Sequence, residues 1–313
     1  MTDVMTPDPT TTIDDQVDAR FKKVRRRRIP KFGVMFGTVF LTTLVVLTVL
    51  ADYLPFIRSP ESKVYIDGRL QSNYKLGPGW DAWWGTDGNG FDVFAKCIYY
   101  ARYTLFIGIA STILGLLLGG ALGMLAGYFR GKTDRVISIF VDCLLAIPAL
   151  VLAIMLVSRL DEIKAEIPFI GWMSRLWQIV FTLSILAIAP LARIVRAQTM
   201  ALREREFVLA SRSMGAGNMR ILFREILPNL VPTMVTVAAT GLGILIAAEG
   251  ALAFLGLGIE TSWGFMINAN RARLEKAWWA TIFPCMMLFL TVLSFNLIGD
   301  RLARRFDVRE AAV

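Results

Sequence analysis

The stretch "REREFVLASRSMGAGNMRILFREILPN", residues 203–229, carries eight charged side chains and stands between two apolar runs long enough to cross a bilayer. At a bilayer centre each charge costs about 2.5–3.5 kcal/mol, so eight together would cost on the order of 20 kcal/mol or more. The stretch therefore belongs in water or against another protein, and its flanks belong in lipid. Phe207, Ala210, Ser211 and Met214 recur at helical spacing, which predicts a short amphipathic helix. Gly215 and Gly217 suit its end, and Asn218 suits the cap of a second helix whose apolar face is Met219, Leu222, Phe223 and Ile226. Pro228 then opens the next apolar run. The expected result is a helix, turn, helix elbow with small residues at its tip, where another surface can approach closely.

Outward from the elbow, the 313-residue chain is 55% hydrophobic with a mean hydropathy of +0.55, and its apolar residues come in blocks. Matched against the roughly 20 residues that a helix needs to cross the hydrocarbon, six candidate spans emerge: 32–51, 103–129, 136–158, 176–192, 226–259 and 277–299. The fourth is short and is extended past Arg193, whose long side chain snorkels. The fifth is too long for one straight crossing, and Gly250, Gly256 and Gly258 predict that its far end breaks. The organisation expected is a tail at 1–31, a first membrane helix at 32–54, an external loop at 55–102, a core of five further spans at 103–299 containing the 203–228 loop, and a tail at 300–313.

Lysine and arginine set the orientation. With the N-terminus inside, 22 basic residues fall on the inner side and 12 on the outer, so both termini and the elbow are expected in the cytoplasm. The net charge of +9 is thus an expression of membrane topology. The basic residues cap apolar runs and form no face with interleaved aromatics, so no nucleic-acid partner is expected. "KKVRRRR", residues 22–28, reads as an anchor to the anionic leaflet, and the Thr-, Asp- and Pro-rich residues 1–20 before it read as disordered. Trp80, Trp83 and Trp84 are placed at the membrane interface in the external loop.

Little in the chain supports chemistry of its own. There is no histidine, the usual metal ligand and general base, and Cys97, Cys143 and Cys285 form neither a metal-ligand spacing nor a disulfide framework. No metal and no cofactor are expected. "GYFRGKT", residues 127–133, is one residue short of a phosphate-binding loop and follows a membrane span instead of a strand, so it reads as a turn and not an ATP site. "DGNGFD", residues 87–92, has Phe91 where a calcium ligand is needed and reads as a polar turn. Two acids, Asp142 and Glu249, lie inside apolar runs. Each faces a partner, a cavity or a pathway, or is a structural carboxylate between packed helices. Two separated acids without histidine make a poor proton relay, and no nucleophile with a base is present for a membrane-embedded enzyme.

The elbow resembles the loop shared by permease subunits of ABC importers, whose pattern is EAA, three residues, Gly, nine residues, Ile, one residue, Leu-Pro. Here Leu209, Ala210 and Ser211 stand for EAA, followed by Gly215, Glu225 in the isoleucine position, and Leu227-Pro228. Glu206 lies one helical turn before the missing acid, and Ile226 lies beside its position. The likeness is strongest to the C-type permeases of dipeptide and oligopeptide importers, over about residues 31–309. "WWGTDGNGFDVFAK", "LARIVRAQTMALREREFVLASRSMGA", "AEGALAFLGLGIETSWG" and "FNLIGDRLARRFD" follow the family's segments in order.

That resemblance implies an all-α integral membrane protein with six transmembrane helices, the type I ABC importer fold with a cytoplasmic coupling helix, in a bacterial plasma membrane. It implies as partners a B-type permease subunit, two ATP-binding subunits and an extracytoplasmic substrate-binding protein, in contact with membrane lipid. By motif position, Ala210, Ser211, Met214, Gly215 and Ala216 make the close contact with the ATPase, with Arg203, Glu206, Arg212 and Arg220 at its charged margin. The implied cargo is di- or oligopeptide, with nickel chelates or other small solutes as alternatives. An ATP-independent secondary transporter is the competing class.

Overall fold

A computed structural model describes residues 31–66, 69–71, 76–166, 171 and 173–310. The expected disordered tail and the basic cluster at 22–28 lie outside these residues. Helix α1, Lys31–Leu50, is followed by a segment whose described residues form a two-stranded antiparallel pair, β1 (Tyr65–Ile66) and β2 (Arg69–Leu70), and two isolated bridges, Lys63 with Phe91 and Thr86 with Asp92. Helix α2, Val93–Phe129, then runs 37 residues, about 55 Å. Beyond it come α3 (Gly131–Ala146), α4 (Ala149–Glu166) and α5 (Arg175–Arg203). The elbow is α6 (Glu206–Ser213), a turn, and α7 (Asn218–Arg220), which passes through a π-helical stretch, Ile221–Ile226, into α8 (Leu227–Phe254). Helices α9 (Trp263–Asn270) and α10 (Trp279–Glu310) follow, with a short 3-10 turn, Arg271–Arg273, between them.

Five of these helices are long and apolar enough to cross a membrane, and a sixth crossing is available if the bent pair α3 and α4 serves as one. The expected third span, 136–158, is therefore not one straight helix: it bends by 96° where Ile147 adopts an extended backbone before Pro148. The proline ring disfavours the helical conformation in the residue before it. The expected second span starts ten residues early, at Val93, because Asp92 caps the helix by accepting from the Phe94 and Ala95 amides. The fourth runs on as one helix past Arg193, whose guanidinium is bonded to Asp142 at 2.7 Å rather than snorkelling alone.

The fifth expected span breaks at its far end, and of the three glycines it is Gly256, at φ +82°, that makes the break. The Leu257 amide reaches back to the Leu252 carbonyl and the Gly256 amide to that of Ala253, a Schellman end that requires a left-handed residue. Gly250 instead packs on Leu288. Ser262 then caps α9 through the Phe265 amide, and the Trp263 indole donates to the Cys97 carbonyl at 2.8 Å, fixing α9 to α2. At the near end, α8 does not begin afresh at Pro228. A proline lacks the amide and crowds the carbonyl four residues back, and the π-type turns just upstream widen the helix so that it passes through without a break.

The broadest contact in the core joins α2 to α5, and it is a contact of backbones. A Cβ on Gly119 would meet the Ile188 carbonyl at 2.7 Å, one on Gly123 the Ala192 carbonyl at 2.4 Å, and one on Gly127 the Arg196 carbonyl at 2.7 Å. Spaced by four, these glycines make one stripe along α2, the small-residue seam by which helices pack where no hydrophobic effect drives them together. Helix α1 lies against α10 and α2. Its end is clamped to α2 by Asp52, which takes the Arg102 guanidinium at 2.8 Å and the Tyr99 hydroxyl at 2.9 Å. These hold its carboxyl below the ordinary range, the Arg102 bond contributing most.

In the segment before α2 the "DGNGFD" stretch is the polar turn expected. One Asp87 oxygen accepts from the Asn89 and Phe91 amides. The other takes the Lys96 ammonium at 2.6 Å, so an ammonium occupies the place a cation would need. Trp84 stacks on Phe283 of α10, and Trp83 lies between Phe56 and Phe94. Trp80 projects freely. "GYFRGKT" joins helix to helix, Gly127 being inside α2.

Candidate coupling site

The elbow is built on a buried floor. Val208, Ile221, Leu222, Ile226 and Leu230 are sealed against Met124 and Tyr128 of α2 and Val195 of α5. Of the stripe expected in residues 207–214 only Ser211 points down, joined by Val208, while Phe207, Ala210 and Met214 stay exposed. The same correction applies to the second arm. Leu222 and Ile226 are buried, but Met219 and Phe223 are 62% and 57% exposed, and Ile221 takes the place expected for them. The residue missed inside each arm is the one beside the expected stripe, because the floor on which the elbow rests is set by α2 and α5 and not by the arms themselves.

The turn closes as a Schellman motif. The Ala216 amide donates to the Ser211 carbonyl at 3.1 Å and the Gly215 amide to the Arg212 carbonyl at 3.0 Å, with Gly215 at φ +83°. Gly217, not Asn218, stands at the cap position of α7. Asn218 is the first helical residue, and its side-chain oxygen accepts from the Tyr128 hydroxyl at 2.9 Å. Gly217 has an ordinary backbone conformation, and a Cβ on it or on Gly215 would meet nothing within 4 Å. Backbone conformation explains the glycine at 215, and nothing among the described residues explains the one at 217.

Above the floor, Met214 is 81% exposed, and Phe207, Leu209, Met219 and Phe223 form apolar surface around the same tip. Ala210 and Gly215 are exposed and Ala216 half-buried beside them. Among the described residues Glu206, Arg220 and Arg224 enter no ion pair, and Arg212 lies over the Tyr128 ring at 6.0 Å. Arg203 is turned inward, donating to the Tyr128 carbonyl at 2.8 Å. The elbow is therefore fixed beneath and unpartnered above, with apolar, small and charged groups interleaved.

The two acids of the apolar runs are not brought together. Asp142 lies on α3, paired with Arg193 in a cleft of about 220 Å³ that also holds Ser138 and Arg196. Arg196 makes a two-pronged bond to Asp134 at 2.5 and 2.8 Å, so α3 is tied to α5 by two charge pairs. Glu249, on α8, is fully buried, and neither of its oxygens has a well-formed hydrogen bond among the described residues. The Ser262 hydroxyl at the α9 cap faces it.

Comparison with known proteins agrees with this architecture. A family model described as a binding-protein-dependent transport system inner membrane component matches residues 119–309. The dipeptide transport system permease protein DppC of Alkalihalophilus pseudofirmus is 31% identical, over 97% of this chain and 96% of its own. The glutathione transport system permease protein GsiD of Pectobacterium atrosepticum is 33% identical, over 94% and 93%. Among solved structures, the methionine ABC transporter MetNI in inward-facing conformations superposes with a TM-score of 0.54 at 24% identity, over 66% of this chain and 93% of that one. An amino acid ABC transporter superposes with a TM-score of 0.52 at 16% identity; both likenesses concern the fold. The chain is a multi-pass membrane permease belonging to the family of binding-protein-dependent transport system inner membrane components.

Proposed function

We propose that this chain is one half of the translocation pathway of an ATP-driven importer of di- or oligopeptides, and that the 203–228 elbow is its coupling helix. The observation that carries the reading is the contrast across the elbow: sealed apolar floor beneath, unpaired Met214, Met219, Phe223, Glu206 and Arg220 above. Such a surface suits a groove on an ATP-binding subunit, the apolar tip filling the groove and the arginines reaching carboxylates at its margin. Ala210, Gly215, Ala216 and Gly217 permit the backbone to come close, while Ser211, itself buried, closes the turn by accepting from the Ala216 amide. Arg212 lies at the margin above Tyr128, and Arg203 braces the elbow from within.

In this reading the elbow and both termini are cytoplasmic, as the basic residues favour, and residues 51–92 face the opposite side toward a substrate-binding protein. A second, B-type permease completes the pathway and two ATPase subunits drive it. The peptide cargo is supported by the named activities of the relatives, dipeptide and glutathione transport. The tagged chain, purified from its own cells and identified with its companions by mass, should bring down two ATPase subunits and a second permease. Proteoliposomes of that complex should import a labelled dipeptide with ATP and binding protein present. Import by the chain alone, driven by an ion gradient, would replace this reading with a secondary transporter.

A further inference from the structure

Helix α2 is not joined to the elbow in sequence, yet its last residues lie between the elbow's two arms. The Tyr128 carbonyl takes Arg203 from the end of α5 at 2.8 Å. The Tyr128 hydroxyl donates to Asn218 at the start of α7 at 2.9 Å. The Tyr128 ring lies beneath the guanidiniums of Arg203 and Arg212, at 5.8 and 6.0 Å. Two residues on, Arg130 donates to Glu204 at 2.5 Å, and its Nε is buried with no hydrogen-bond partner among the described residues. Arg130 is also the one non-glycine residue with positive φ among the described residues, at φ 52°, ψ −168°. That conformation is almost reserved for glycine, and where another residue holds it the surrounding structure enforces it.

We propose that Tyr128 and Arg130 form a clasp through which motion of the elbow is handed to α2, making them positioning residues for coupling; this rests on the elbow docking to an ATPase subunit. The chain's covalent route from elbow to membrane runs only through α5 and α8. The clasp adds a third route, and it leads furthest. Helix α2 runs from the clasp to Val93 without a break, and its far end carries the Asp92 cap, the Lys96–Asp87 pair and the Trp83 and Trp84 contacts with Phe94. The glycine stripe makes α2 and α5 move as one body, since the α2 backbone rests directly on α5 carbonyls and on the β-carbons of Ala187, Leu191, Val195 and Thr199, with no long flexible side chain at the stripe to yield. A displacement at Tyr128 is thereby delivered to the segment at the opposite end of the membrane domain.

The experiment is a double-mutant cycle in the complete reconstituted complex, with ATPase subunits, second permease and loaded binding protein. The quantity read is labelled dipeptide imported per ATP hydrolysed. Tyr128→Phe removes one hydroxyl and keeps ring and backbone, and Asn218→Ala removes its partner. Each should lower the ratio about fivefold, the lower end of a typical coupling between sites, and the double variant should fall no further than either. Arg130→Gly, which deletes the guanidinium and accepts the backbone conformation, should lower the ratio in the same direction. Yields of assembled complex should stay at wild type, which a purely structural role would not predict. A wild-type ratio in both single variants, or a double effect equal to the two combined, overturns the clasp while leaving docking intact. A wild-type chain that assembles with no ATPase subunit overturns docking and the clasp together.

Discussion

Glu249 shows how one residue separates chemistry from packing. A carboxylate sealed away from water without a partner is costly when ionised, and the described surroundings offer it only the Ser262 hydroxyl. The geometry makes no use of a negative charge there. Glu249→Gln should therefore leave assembly and dipeptide uptake within about twofold of wild type, a difference of under 0.5 kcal/mol; loss of uptake in an assembled complex would assign the charge a role in transport. Gly217 tests the elbow in the same way. Its backbone accepts any residue and its surroundings are empty, so Gly217→Trp should insert normally and yet lower uptake by about tenfold, as 1.4 kcal/mol lost at a docking surface would. Unchanged uptake would show that the tip meets nothing. Both residues were visible in the sequence, Glu249 as an acid in an apolar run and Gly217 as part of a glycine pair. Arg130 was not, because backbone strain leaves no trace in residue type.

At the scale of elements, the spans were legible wherever an apolar run alone defines a helix, and illegible where neighbours decide its course. Pro148 was present in the 136–158 run as a signal of the break, but periodicity gives no angle, and the 96° bend lies between two helices that both pack on α5. The inward face of α6 is likewise a property of α2 and α5. The glycine stripe on α2 shows the same limit, since Gly115, Gly119, Gly123 and Gly127 are spaced by four in the sequence but acquire meaning only opposite α5. It makes a sharp prediction. Gly123→Leu would drive a side chain into the Ala192 carbonyl and the Arg196 amide, which are backbone and cannot swing away. The variant should lose about 1–3 kcal/mol from overpacking, read as a lower melting temperature of the detergent-purified chain. A melting temperature equal to wild type would mean that α2 and α5 are not in close register.

As a whole molecule, the chain is a membrane domain in which α2 and α5 are packed backbone to backbone, with an elbow at their end whose upper face is unpartnered among the described residues. Spacing marked the elbow in the sequence, and charge bias favours one orientation of the domain; what joins the elbow to α2, through Tyr128, came only from contacts over some 90 residues of chain. The most direct measurement is site-directed crosslinking at Met214, the most exposed apolar residue of the tip, as Met214→Cys with exposed Cys143 replaced by serine. In intact membranes holding the full complex, the account predicts an adduct between this chain and an ATPase subunit, together with protection of the new thiol from a membrane-impermeant reagent added outside the cell. No adduct in the assembled complex, or labelling of that thiol from outside, would contradict it.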